Sequence, residues 1–156
     1  MEKIIADNCK HAGIIPRILI IEDDPEFSYY LKIILEEAGF CTELASDGMA
    51  GFQLLKSLVP DLITLDLMMP NKTGIKFFTE IRKNSKYCSI PIIIITSYTN
   101  NTYPGIDFKK ALYSKALTPP DGYFEKPVES IRLISVIRNI LASKSRSNSR
   151  SGAEAI

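Results

Sequence analysis

Glu22, Asp23 and Asp24 close the apolar run RILIIE, and Asp66 closes DLITLD. Thr96 closes PIIIIT, and Lys126 directly follows GYFE. Brought to one place, these residues would supply hard oxygen ligands, a hydroxyl and an ammonium. Crowded carboxylates repel one another and call for a cation. An oxygen-rich site with few ligands suits Mg²⁺, which keeps waters and binds one or two carboxylates plus a phosphate oxygen. In such a site Asp66 is the candidate nucleophile, able to form an aspartyl phosphate. Lys126 would neutralise one phosphate oxygen and Thr96 would hydrogen-bond another. The plainer alternative makes the strand-end acids helix caps and Lys126 a surface lysine; it suits Asp24 best.

Whether these residues meet depends on the elements that carry them. Five apolar runs, Arg17–Glu22, Phe40–Leu44, Asp61–Asp66, Pro91–Thr96 and Gly122–Glu125, alternate with amphipathic segments. The first, third and fourth runs are nearly continuous in Ile and Leu, as expected of parallel strands covered on both faces. Phe27, Tyr30, Leu31, Ile34, Leu35 and Ala38 follow helical spacing, with Asp24 as cap, Pro25 in the first turn and Gly39 at the end. Further helices are expected from near Asp47 to before Pro60, after Thr73, and from about Val128 to Ala142. Such alternation predicts a parallel sheet with helices on both faces, and ligands bind such sheets outside the carboxyl ends of the strands. That edge is where the acids, Thr96 and Lys126 fall.

The stretch between Thr96 and Lys126 is polar and turn-rich, broken by Pro104–Gly105 and Pro119–Pro120, with a short helix expected over 106–117. Residues 1–16 read as an N-terminal arm, 17–142 as the folded domain, and the Ser/Arg-rich segment 143–156 as a disordered tail.

A chain of 156 residues with 46% apolar content has the size and core of one domain. Its net charge of +1 gives no reason to expect nucleic acid or an acidic membrane surface as the main partner. No apolar stretch can span a bilayer and no secretory signal is visible, so a cytoplasmic location is expected. Cys9, Cys41 and Cys88 fit neither a disulfide framework nor a zinc site, and Cys41 reads as a small core residue. His11 is the single histidine, on a polar arm, which leaves no material for a histidine-based triad.

Over roughly residues 17–142 the chain resembles the receiver domains of two-component response regulators. The resemblance rests on IIEDDPE (21–26), SDGMAG (46–51), LDLMMPNKTG (65–74), IIIITS (92–97) and GYFEKP (122–127). Its most specific part is Asp66, then two residues, then Met69–Pro70, and Gly74 after three more. It implies a flavodoxin-like, doubly wound, five-stranded parallel sheet of order 2-1-3-4-5. It also implies that Asp66 accepts a phosphoryl group, with Asp23 and Asp66 binding Mg²⁺ directly and Glu22 through a metal-bound water. The backbone carbonyl of Met68 would be a further ligand, Thr96 and Lys126 the residues that sense the phosphoryl group, and Tyr123 the switch aromatic. One departure stands out: the link between Thr96 and Lys126 is longer than is usual in the family.

The implied partners are a sensor histidine kinase or a histidine phosphotransfer protein. A homodimer or effector would use the face of the fourth helix, fifth strand and fifth helix, to which Ile131 and Ile134 are candidates beside Tyr123. No direct nucleic-acid or membrane partner is expected, and the chain reads as a signalling receiver that assists its own phosphorylation and dephosphorylation. Two rivals share the alternation. An aspartyl-phosphate phosphatase needs an acid two residues after the nucleophile, where this chain has Met68. A flavodoxin-like electron carrier needs a phosphate loop after the first strand, where Glu22, Asp23 and Asp24 repel phosphate.

Overall fold

The computed structural model describes residues 15–69, 73–97, 110 and 112–151. Five strands, β1 (Arg17–Ile21), β2 (Cys41–Ala45), β3 (Leu62–Leu65), β4 (Ile92–Thr96) and β5 (Gly122–Glu125), form one sheet of order β2-β1-β3-β4-β5. Every adjacent pair is parallel, in registers such as Ile21 beside Leu65 and Thr96 beside Glu125. Each expected strand is present to within one residue at either end.

Side chains along a strand alternate between faces, so each Ile/Leu run feeds two cores. Leu19, Ile21, Ile63, Leu65, Ile92 and Ile94 pack on one face with Leu55, Phe77 and Phe78. Ile18, Ile20, Leu62, Ile93 and Ile95 pack on the other with Leu31, Leu35, Leu133 and Ile137. Helices α1 (Pro25–Glu37) and α4 (Ser130–Ser151) therefore cover the second face, and α2 (Gly48–Ser57) and α3 (Gly74–Lys83) the first.

Helix starts follow the local chemistry that the sequence offers. Asp24 accepts from the Glu26 and Phe27 amides, Asp47 from Ala50, and Thr73 from Lys76, each filling orphan donors of a first turn. Gly39, at φ 92°, closes α1 in the left-handed region where a side chain is strained.

Three expectations need correction. The final helix does not stop at Ala142: residues 143–151, expected to be disordered, continue it to Ser151. A helix nucleated on a packed face propagates cheaply. Ser143 and Ser145 also donate to the carbonyls of Asn139 and Leu141, four residues back. Cys41 is buried as expected, yet it is disulfide-bonded while Cys88 is free. Spacing along the chain does not reveal a pairing made by tertiary approach. Ile131 and Ile134 line a groove with Ile34 and Ala38 of α1, whereas Tyr123 packs against the core of the opposite face. The two isoleucines and Tyr123 therefore border different faces of the sheet, and Ile131 is 75% exposed. Of the helix expected over 106–117, residues 106–109 and 111 lie outside the described residues; Lys110 and Leu112 are helical, Leu112 is fully buried, and 113–117 form turns rather than helix.

Candidate functional site

β1 and β3 are neighbours in the sheet, so the residues after them emerge side by side. The Asp66 amide donates to Ile21 O (3.0 Å), and the Glu22 amide to Ala45 O (3.0 Å), which fixes both backbones at the sheet edge. Across the sheet, the Lys126 amide donates to Thr96 O (2.9 Å), setting Lys126 just past the end of β4. The following Lys126–Pro127 peptide is cis.

The Lys126 ammonium lies 2.8 Å from Glu22 Oε2 and 3.2 Å from Asp66 Oδ2. Glu22 and Asp66 are buried and Asp23 is exposed, and one carboxylate oxygen from each lies within 4.8 Å of the others. Backbone amides hold the remaining oxygens: Asp24 N–H donates to Glu22 Oε1 (3.2 Å) and Met68 N–H to Asp66 Oδ1 (3.1 Å). Thr96 is completely buried at the end of β4. Tyr123 is half-buried in β5.

Gly74 explains part of the motif that follows Asp66. A Cβ at Gly74 would overlap the Asp66 carbonyl oxygen and the Leu67 Cα, so only glycine lets α3 start against the turn carrying Asp66. Its amide donates to Leu67 O (3.1 Å), tying that turn to α3.

The electrostatics are those of a site short of positive charge. Burial pushes the Glu22 carboxyl up to about 7, the negative charge of Asp66 adds to the rise, and the Lys126 hydrogen bond opposes it. For Lys126, burial acts to lower the pKa. The hydrogen bond that Lys126 donates to Glu22 and the charges of Asp66 and Glu22 outweigh it, so the ammonium is held above its ordinary value. One ammonium thus faces three clustered acids, and the hard oxygen donors of Glu22, Asp23 and Asp66 fit a small divalent cation such as Mg²⁺.

The structure brings together Glu22, Asp23, Asp66 and Lys126 as the spacing suggested, with Thr96 tied to Lys126 through the backbone. Asp24 stands apart as the cap of α1. One neighbour was not legible. Phe27, read from the sequence as a core residue of α1, places its ring centroid 4.3 Å from the Lys126 ammonium. Its position in the first turn of the helix that begins at the acidic cluster was the available signal.

The family model for the response regulator receiver domain matches residues 18–138. Among curated proteins, the chain is 34% identical over 128 residues to the DNA-binding dual master transcriptional regulator RpaA of Synechocystis sp., covering 81% of this chain and 49% of that protein. It is likewise 34% identical over 122 residues to the DNA-binding response regulator MtrA of Mycolicibacterium smegmatis, covering 78% and 49%. The chain spans about half the length of the curated relatives it matches. Among solved structures, the signal receiver domain of a histidine kinase from Syntrophus aciditrophicus superposes with a TM-score of 0.69 at 28% identity, covering 82% of this chain and 91% of that one. A CheY-like receiver domain protein from Methanospirillum hungatei reaches 0.73 at 23% identity, covering 86% and 99%, and bears on the fold alone.

The chain belongs to the receiver-domain family of two-component response regulators, with the flavodoxin-like sheet order of that family. It is a signalling domain rather than a metabolic enzyme. Receiver domains generally bind Mg²⁺ at an acidic pocket, and response regulators interact with sensor kinases. The expectation that nucleic acid is no direct partner gains no support from relatives named as DNA-binding regulators. Among the described residues, no helix is long and apolar enough to cross a membrane.

Proposed function

We propose that Asp66 is the phosphoacceptor of a histidine-to-aspartate phosphorelay, and that phosphorylation switches a partner surface. The observation that carries this reading is the buried Asp66 carboxylate, bridged by Lys126 to Glu22 and within 4.8 Å of both neighbouring acids. Asp66 attacks the phosphorus of a phosphohistidine on a sensor kinase or phosphotransfer protein. The new O–P bond forms as the P–N bond breaks, and the imidazole leaves with the electron pair. Glu22, Asp23, Asp66 and the Met68 carbonyl would hold Mg²⁺, with Glu22 acting through a water. The ion supplies charge neutralisation for the incoming phosphoryl oxygens.

The chain's own residues do the rest. Met68 N–H holds one Asp66 oxygen and so orients the other toward the donor. Lys126 already touches Asp66 and needs only to exchange a carboxylate oxygen for a phosphoryl oxygen. The Thr96 hydroxyl reaches a further oxygen, and its inward shift frees space for Tyr123 to turn in. The output then leaves through β5 and the adjoining part of α4, toward a second copy or an effector. The same site assists hydrolysis of the aspartyl phosphate.

Incubation with acetyl phosphate and Mg²⁺, followed by intact mass measurement, tests the assignment. A gain of one phosphoryl group, absent in Asp66→Asn, is expected. Equal gain in Asp66→Asn would place the acceptor elsewhere. Lys126→Ala is expected to be phosphorylated yet to lack the conformational response seen by NMR, and a normal response would remove Lys126 from the switch.

A further inference from the structure

Among the described residues, the Lys126 ammonium is held by two charged groups and one ring. Glu22 and Asp66 hold it at 2.8 and 3.2 Å, and the Phe27 ring lies under it at 4.3 Å. A lysine reaches its target on a four-carbon stem with many rotamers, so its charge is useful only if something keeps it in place. The carboxylates do so before the phosphoryl group arrives. Once Lys126 turns to a phosphoryl oxygen, those two contacts must loosen, whereas a ring contact need not break.

We propose that Phe27 is a positioning residue for Lys126: its aromatic face keeps the ammonium at the phosphoryl site through the exchange of oxygen partners. The role rests on Asp66 being the phosphoacceptor. Phe27 is well placed for it. It occupies the first turn of α1, directly after the acidic cluster, and its amide is fixed by the Asp24 cap at 3.2 Å. The Tyr30 ring lies 5.8 Å from it at 37°, and the side chain also rests on the core beneath α1. With Lys126 only 15% exposed, the contact is largely shielded from water, where cation–π attraction is strongest.

Apolar packing alone would also explain a phenylalanine here, so the test must separate ring electrostatics from ring volume. Phe27 is replaced by mono-, di- and trifluorophenylalanine, which nearly keep the shape while draining charge from the ring face. Phe27→Trp and Phe27→Leu extend the series in both directions. Binding of a beryllofluoride mimic with Mg²⁺ is titrated for each, in the native background and in Lys126→Gln, alongside thermal midpoints.

The expected result is a graded loss of mimic affinity, reaching about three- to tenfold at trifluorophenylalanine and Phe27→Leu. Phe27→Trp should bind at least as well as the native protein. Midpoints should stay level along the fluorinated series, and the series should be flat in Lys126→Gln, since a double-mutant cycle isolates the pair. A flat series in the native background, with normal uptake by the unmodified protein, overturns the role of Phe27 alone. An equal slope in Lys126→Gln does the same. Failure of the unmodified protein to take up the mimic overturns the phosphoacceptor reading and this role together.

Discussion

The two edges of the sheet each hold a cation largely shielded from water, and the two are built in opposite ways. At the carboxyl edge, Lys126 is shared by Glu22 and Asp66, with Asp23 close by. At the amino edge, Arg82 of α3 reaches between the segments that lead into β4 and β5. Its five N–H groups donate to the carbonyls of Thr118, Cys88, Ile90 and Pro119 and to Asp121 Oδ2, at 2.7–3.3 Å. Asp121 in turn accepts from the Ile92 amide (2.9 Å). The guanidinium fork has five donors, so every one is engaged and the charge is met by one acid. The carboxyl edge has surplus negative charge, one carboxylate pushed up to about 7, and a cation shared between two carboxylates. Each edge contains an ion pair with one buried partner, Arg82 at the amino edge and Glu22 at the carboxyl edge. Saturation makes one a staple, and imbalance suits the other to the cation and phosphoryl group of the proposed function.

The sharpest way to break this contrast is to remove each cation in turn. Arg82→Met strands four carbonyls and Asp121, and should destabilise the fold by about 3–5 kcal/mol in denaturant titration. Lys126→Met should cost no more than about 2 kcal/mol, because Glu22 can take a proton and so shed its buried charge. Similar losses in both variants would mean that the two pairs are not different in kind.

The second test uses pH and metal. Glu22 binds its proton more tightly folded than unfolded, so without metal its contribution to stability is fullest below about 4.5 and is lost as pH rises toward about 7. Mg²⁺ needs the carboxylate ionised, so below about 7 its binding should strengthen by up to about tenfold per pH unit, then level off. Glu22→Gln should flatten the stability slope in metal-free protein. If Mg²⁺ binding is independent of pH between 5.5 and 7, proton release from this cluster is not coupled to the metal. A companion measurement is Asp23→Asn, expected to weaken Mg²⁺ at least about tenfold; unchanged affinity would remove Asp23 from the ligand set.

The smallest effect sharpens what saturation means. Thr64, buried in the centre of β3, has an Oγ1 with no hydrogen-bond partner among the described residues. Thr64→Val should therefore stabilise the protein by about 1 kcal/mol. Destabilisation would show that the hydroxyl is satisfied after all.

Local and periodic signals were legible in the chain itself. The Ile/Leu runs of β1, β3 and β4 read as covered parallel strands because burial on both faces removes alternation. Asp24, Asp47 and Thr73 marked helix starts because a cap acts within three residues. The acidic cluster, Asp66, Thr96 and Lys126 could be gathered on one edge because parallel strands point the same way and Ile21 and Leu65 end level. The order of acids and lysine along the chain therefore carried most of the site.

What the sequence left open depends on contacts between distant segments. Arg82 finds Thr118, Pro119 and Asp121 across 36–39 residues, and nothing local to α3 marks it as a clamp. Phe27 follows the helical spacing of a core residue, and its approach to Lys126 exists only because β1 and β5 are assembled into one sheet. The groove that Ile131 and Ile134 share with Ile34 and Ala38 exists only because α4 packs beside α1, which hydrophobic spacing does not encode. A sequence determines which side chains a strand or helix presents. Tertiary packing alone decides which of them meet, because the energy of an ion pair, a ring contact or a saturated arginine resides in distances between elements.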